Sequence, residues 1–564
     1  MNDNNEKKIK IYVALLITVI CVIGVSYAWF RLYLSQSENN KITARTCFDV
    51  SFTENTDKIS LVDAVPEDDS DGLREKPFTF TLKNNCEGYV KAYITIDSAY
   101  RTSTSSSYLK DNQVKVNVSP KGTVVSNGML LTAGELMEID NNSKGYVINV
   151  TGLESNEEKS FDLRLWMDSA VTQSDGLNKT WEGSVVVTAV AENHATWNNP
   201  GEGTLLAAIK RDNTVGTPTT TPGTESSADT EALLASTVDD YGTSYYFRGA
   251  VTNNFVEYAN MCWRIVRVTG DGSIKLVLYN YNGLTSTNST PSSNTPCNVT
   301  GNDYALARYE GDIYTSRFNS NRNDNAYVGL MYGTAGASSY AAAHANTNPS
   351  TILTNLNKWY TNVLSKQSNF SDTQLADTIW CNDKSVVTDT AFNPGSWTLG
   401  TNYGYAKNVN YYSAAKRLVQ ASSWSKGGTG SSLICANDNN GGKLSKFTVS
   451  DTTYGNGALS GYAKVGLLTA DEIAFAGGAY KTSNSTYYIK GNTNSSYWWA
   501  LSPSGFNGYD ANVWDVDGSN GSFGFISVYN PEDGLRPSLS LVSNIKISSG
   551  TGTGTATNPY KIAF

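Results

Sequence analysis

Between Tyr497 and Asn530 the sequence crowds nine aromatic side chains, Tyr497, Trp498, Trp499, Phe506, Tyr509, Trp514, Phe523, Phe525 and Tyr529. They alternate with Asn507, Asp510, Asn512, Asp515, Asp517, Asn520 and Asn530. Aromatic faces stack on sugar rings, and amides and carboxylates accept hydrogen bonds from hydroxyls. The chemistry this mixture suits is recognition of a glycan or of a loop on a surface protein. The candidate contact residues are Phe506, Asn507, Tyr509, Asp510, Asn512 and Tyr529. The competing reading makes the aromatics half core and half rim of a β-fold. Asp515-Val-Asp517-Gly518 places two carboxylates two residues apart before a glycine, as partial Ca²⁺ ligands are placed. The acidic stretch Glu67–Gly72 has no calcium-loop spacing and reads as a solvated loop.

Catalytic constellations are not visible. The two histidines, His194 and His344, have no partners at zinc or triad spacing, and His344 in its Ala/Asn-rich surroundings reads as a solvated loop residue. H-E-x-x-H, G-x-S-x-G, phosphate-loop and C-x-x-C patterns do not occur. A net charge of −9 leaves no basic footprint for nucleic acid.

The elements that must carry such a surface begin outside a membrane. Residues 1–10 are polar with Lys7, Lys8 and Lys10, a cytoplasmic N-terminus by the positive-inside rule. Ile11–Phe30 is uncharged, about the 20 residues that cross a bilayer. An anchor over residues 11–34, with aromatic side chains around Arg31, and a signal peptide cleaved after Ser26-Tyr27-Ala28 both fit. Either exports the remainder. Apart from Cys21 in that segment, six cysteines remain: Cys47, Cys86, Cys262, Cys297, Cys381 and Cys435. An even number outside a membrane predicts disulfides, paired here by proximity as 47–86, 262–297 and 381–435. Each would contribute about 2–4 kcal/mol. Reduced, buried cysteines are the alternative.

Residues 45–195 read as a β-sandwich. Phe78–Leu82, Val90–Ile96, Val114–Val118 and Phe161–Leu165 alternate apolar and polar positions, the period of a half-buried strand. Residues 196–235 change to a Pro/Thr/Ser/Gly tract with no apolar period, expected to be a flexible linker after one or two helical turns at Thr204–Arg211. Residues 236–548 form a second domain. Phe255–Val268, Gly270-Asp-Gly272 and Ser273–Tyr279 predict a strand, a tight turn and a strand, a hairpin. Ile352, Leu353, Leu356, Trp359, Tyr360, Val363 and Leu364 predict a helix capped by Ser350. A shorter helix starts at Thr469 and ends at Gly477-Gly478. Residues 549–564 read as a flexible tail with a short strand at Asn558-Pro-Tyr-Lys-Ile562.

Several second-domain stretches occur in a telling order: Gly242-Thr-Ser-Tyr-Tyr-Phe-Arg-Gly249, Cys262-Trp-Arg-Ile-Val266, Trp380-Cys-Asn-Asp383, Leu433–Asp438, Gly466-Leu-Leu-Thr-Ala-Asp-Glu-Ile473, Trp498-Trp-Ala-Leu-Ser-Pro503, Ala511-Asn-Val-Trp514 and Gly534-Leu-Arg-Pro-Ser-Leu-Ser-Leu541. This order resembles a surface-protein family of gut Firmicutes and Mollicutes. Its ending is similar to the formylglycine-generating-enzyme-like branch of the C-type lectin fold. The resemblance implies an α+β lectin-like second domain with Trp498 and Trp514 in its framework. The copper-binding cysteine pair of those enzymes is not matched, because Tyr497–Leu541 contains no cysteine. The first domain resembles the camelysin-like biofilm-fibre family through Tyr27-Ala-Trp-Phe30 and Leu163-Arg-Leu-Trp-Met-Asp168, which implies cleavage at Ala28. The expectation is a mainly β chain, with a β-sandwich stalk and a lectin-like α+β head, acting as a non-catalytic surface or secreted binding protein. Alternatives are an extracellular fibre subunit and an oxidase relative with a relocated active site.

Overall fold

The computed structural model describes the chain from Arg31. Residues 36–49, 55–58, 62–63, 86–88, 103–106, 124–127, 140–142, 192–193, 228–229, 396–409, 439–441, 451–461, 549–551 and a few single positions lie outside the description. Ile11–Phe30 and the pair Cys47–Cys86 therefore fall outside the described residues. Among the described residues no helix is long and apolar enough to cross a membrane.

The fold is mainly β. The chain divides into two compact units, Met1–Val125 with Leu136–Asn193, and Ser126–Glu135 with His194–Phe564. Among the described residues the first holds a six-stranded sheet and five strands of a second sheet. Its strands form where the sequence alternates. Along Phe78–Asn84 the pleat turns Phe78, Phe80 and Leu82 inward, and Phe80 stacks on Phe161 of Glu158–Asp168 at 5.5 Å. Val90–Ser98 lies between Lys144–Leu153 and Trp181–Ala191. Arg31–Ser35 pairs antiparallel with Trp181–Ala191, so residues 31–34 belong to a sheet and not to the hydrophobic segment expected to reach residue 34. The acidic stretch is partly helical: Asp68 caps the turn Asp69–Gly72, and Gly72 packs so closely on Trp166 that a Cβ would clash.

In the second unit an eight-stranded sheet is built around Met261–Val268, buried along its whole length, Arg264 and Arg267 included. The chain returns through Ile274–Asn280 after a turn in which Gly272 takes φ +82°, a conformation glycine adopts without a Cβ penalty. A four-stranded sheet carries Asn410–Tyr411, Tyr497–Phe506, Ala511–Asp517 and Phe523–Ser527. The two expected helices form as Thr351–Asn362, capped by Ser350, and Ala470–Ala476, capped by Thr469 and ended by Gly477 at φ +118°.

Two expectations of flexibility are corrected. Residues 196–235 are part of the second unit. Thr204 caps the helix Leu205–Asp212, whose Leu205, Leu206, Ala208 and Ile209 are buried, and Ala232–Asp239 begins the main sheet. The tail is also anchored. Tyr560–Lys561 pairs in parallel with Phe255–Tyr258, and the buried Tyr560 donates its hydroxyl to Asp212 at 3.0 Å.

Candidate functional site

A polar cleft of about 400 Å³, mouth included, opens in the second unit. The main-sheet hairpin supplies its floor. Arg267 and Lys275 are directly opposed across that hairpin, so both cations leave the same face. Two like charges so placed need a carboxylate between them, and Glu472 provides it. Lys275 Nζ donates to both Glu472 oxygens at 2.7 and 2.8 Å, and Arg267 Nε donates at 3.0 Å. Arg267 Nη1 also reaches Asp239 at 2.5 Å. Glu472 is the fourth residue of the Thr469 capping box, so local helix geometry aims it. Burial alone would raise its pKa. Lys275 and Arg267, with the Thr469 N–H, overcome burial and hold it down at about 2. Ser502 Oγ accepts from Ala470 N–H and so ties the helix start to the strand Tyr497–Phe506.

The other wall comes from Asp383, Ser432 and Leu433, bridged by the disulfide Cys381–Cys435. Arg417 donates to Asp471 through Nε and Nη2, both at 2.8 Å. Its Nη1 lies 2.6 Å from Asp383 Oδ2, an ion pair without an aligned hydrogen bond. Asp383 is 2% exposed, and its Oδ1 has no hydrogen-bond partner. Its φ is +30°, in the left-handed range that strains a side-chain-bearing residue. A buried carboxylate oxygen without a donor, on a strained backbone at a cleft wall, is the arrangement expected where a ligand supplies the missing partner.

The aromatic stretch is arranged differently from its expected role. Phe506 is 0% exposed and Asn512 is buried with its Nδ2 on Asp510 O, so no ligand reaches them; both strands are covered on both faces. Trp498, Trp499 and Trp514 are also core. Tyr509, 57% exposed, Asn507, Asp510 and Tyr529 do reach the surface. Asn507 closes its own turn by accepting from Tyr509 and Asp510 N–H groups. Asp510 pairs with Arg322 at 3.0 Å, and Arg317 lies on the Tyr529 ring at 3.6 Å. The calcium expectation is not supported. Asp517 accepts from Ser519 and Asn520, Asp515 is buried, and among the described residues no three His, Cys, Asp or Glu side chains gather as metal ligands. His344 is no solvated loop residue. It is fully buried, with Nδ1 on Tyr340 O and Nε2 on the Tyr412 hydroxyl, and burial lowers its pKa to about 3.

Asp515 faces a second buried acid. Burial, then the Asp515 charge, raises Asp533 to about 8, and burial raises Asp515 to about 7. Asp533 is 2% exposed, with Oδ1 bonded to Asn530 and Oδ2 unpartnered. A carboxyl raised above its ordinary value of 3.8 contributes stability below about pH 4, which is lost as pH rises through about 8. Asp533→Asn is therefore expected to stabilise the second unit above about pH 8 by on the order of 2 kcal/mol. It should change little near pH 4. Urea midpoints at the two pH values check this.

The cleft residues carry a signal that sequence reasoning passed over. Arg267, Lys275 and Glu472 are charges inside apolar runs, and charged side chains enter a core only when paired. The predicted bridges Cys262–Cys297 and Cys381–Cys435 both form, as suits an oxidising compartment. No protein-family model, curated protein or solved structure matches the chain.

Proposed function

We propose that the chain is an exported, non-catalytic binding protein, displayed at a cell surface or secreted through Ile11–Phe30. Its second unit acts as a lectin-like head that takes a polar group of a glycan or surface protein into the cleft. The observation that carries this reading is Asp383: a strained, buried carboxylate with an unpartnered oxygen on a cleft wall. The disulfides are consistent with life outside the cytoplasm, and the charge of −9 argues against nucleic acid. The exposed Tyr509 and the Arg317–Tyr529 stack supply a separate outer surface for a larger ligand.

A glycan array and a surface-protein pull-down with the full chain test the reading. Ser432→Trp, which fills the half-buried mouth, is expected to lower captured signal at least about tenfold, the loss of roughly one charge-assisted contact. Tyr509→Ala should change it less than threefold, roughly the worth of a rim contact. Loss on Tyr509→Ala with none on Ser432→Trp would move the site to the outer surface. Absence of any captured ligand would remove the function.

A further inference from the structure

We propose that the group the cleft accepts is a primary ammonium, and this deepens the binding reading and rests on it. The argument is one of charge. Arg267 and Lys275 are answered by Asp239 and Glu472, and Lys446 by Asp240 at 3.0 Å. Arg417 alone stands against two carboxylates, Asp471 and Asp383. The cluster is therefore one cation short.

The deficit falls on Asp383. Asp471 takes two aligned bonds from Arg417 and a third from Ser432 N–H at 3.0 Å. Asp383 has only the unaligned contact, and its Oδ1 is bare. The neighbouring Lys384 does not help, because its Nζ is bonded to His344 O at 2.8 Å and Asn346 Oδ1 at 2.7 Å. A buried carboxylate without a full counterion is costly, and a ligand that brings one positive charge with N–H donors recovers that cost. A neutral hydroxyl satisfies the oxygen but leaves the charge. An anion would add to the excess. The half-buried Ile379, Cys381 and Ser432 leave an approach from solvent.

A primary ammonium reaches an exported protein from two sources, an unacetylated amino sugar or a lysyl side chain. Calorimetric titration of the full chain with D-glucosamine and with Nα-acetyl-lysine separates them. N-acetylglucosamine and Nα,Nε-diacetyl-lysine serve as uncharged counterparts. At least one amine is expected to bind roughly tenfold or more tightly than its acetylated form, the value of one charge-assisted bond. Asp383→Asn, which tolerates the same backbone conformation, should erase that preference. If the variant fails to fold, the amine-to-acetyl comparison on the unaltered chain decides alone. Equal binding of amine and acetylated forms overturns the ammonium assignment, as does equal heat from potassium chloride. If array capture still depends on the cleft in that case, the binding function stands while this inference falls. If neither amines nor array ligands bind, both fall.

Discussion

Glu472→Ala is expected to destabilise the second unit by about 3–5 kcal/mol, because it leaves Arg267 and Lys275 buried without their shared carboxylate. The two cations face each other across one hairpin, so their repulsion is exposed as soon as Glu472 is gone. Thr469 N–H also loses its acceptor, and the helix Ala470–Ala476 its capping box. The wild-type pH dependence follows with a definite sign. A carboxyl held at about 2, below its ordinary 4.5, contributes stability that is complete above about pH 4.5 and lost as pH falls towards 2. Denaturant unfolding followed by tryptophan fluorescence should therefore show acid destabilisation of the wild type in that window. The variant, already weakened, should lack the Glu472 share of it. A loss under about 1 kcal/mol would mean that the cations relax into solvent, and would undercut the closed charge cluster that defines the cleft.

Arg248→Met is expected to cost a similar 3–5 kcal/mol and to act on a different part of the unit. Arg248 is wholly buried at the end of Gly242–Gly249. Nε pairs with Glu231 at 3.1 Å. Nη1 donates to Ala474 and Phe475 carbonyls at the end of the helix Ala470–Ala476, and Nη2 donates to Thr220 Oγ1 and Thr224 O. One guanidinium thus holds three chain segments, and its removal strands Glu231 as a buried anion. The Thr/Pro tract from Gly216 to Ser227 should become the first point of proteolysis, because it has few apolar contacts to hold it otherwise. Limited proteolysis with mass mapping would show a new cut there. A variant cut no faster than wild type would show that the tract is held by other contacts.

That tract explains where sequence reasoning stopped. Its composition correctly reports that it cannot bury an apolar core, and composition alone predicts flexibility. It is ordered by polar bonds to Arg248 and Glu231, which composition does not register. The aromatic stretch failed in the opposite way. Phe506 ends the strand Tyr497–Phe506 and Asn512 lies in Ala511–Asp517, and it is the local aromatic and amide composition that marks both as contact residues. A strand covered on both sides has no outside face. Asn507, Tyr509, Asp510 and Tyr529 are at the surface because turns and strand ends carry them. Arg317 and Arg322, about two hundred residues earlier in the chain, meet them only through tertiary contact.

What the sequence alone determined is local: strands where apolar residues alternate, the hairpin at Asp271-Gly272 and two capped helices. These rest on short-range sterics, hydrogen bonding and burial, whose period is written into a few neighbouring residues. The cleft was decided only by the tertiary structure. Its charges come from stretches around residues 239, 267, 275, 383, 417 and 471, and each charge is tolerable only beside the others. Whether a buried carboxylate is paired or left open depends on which distant cation arrives, and a single sequence does not state that distance.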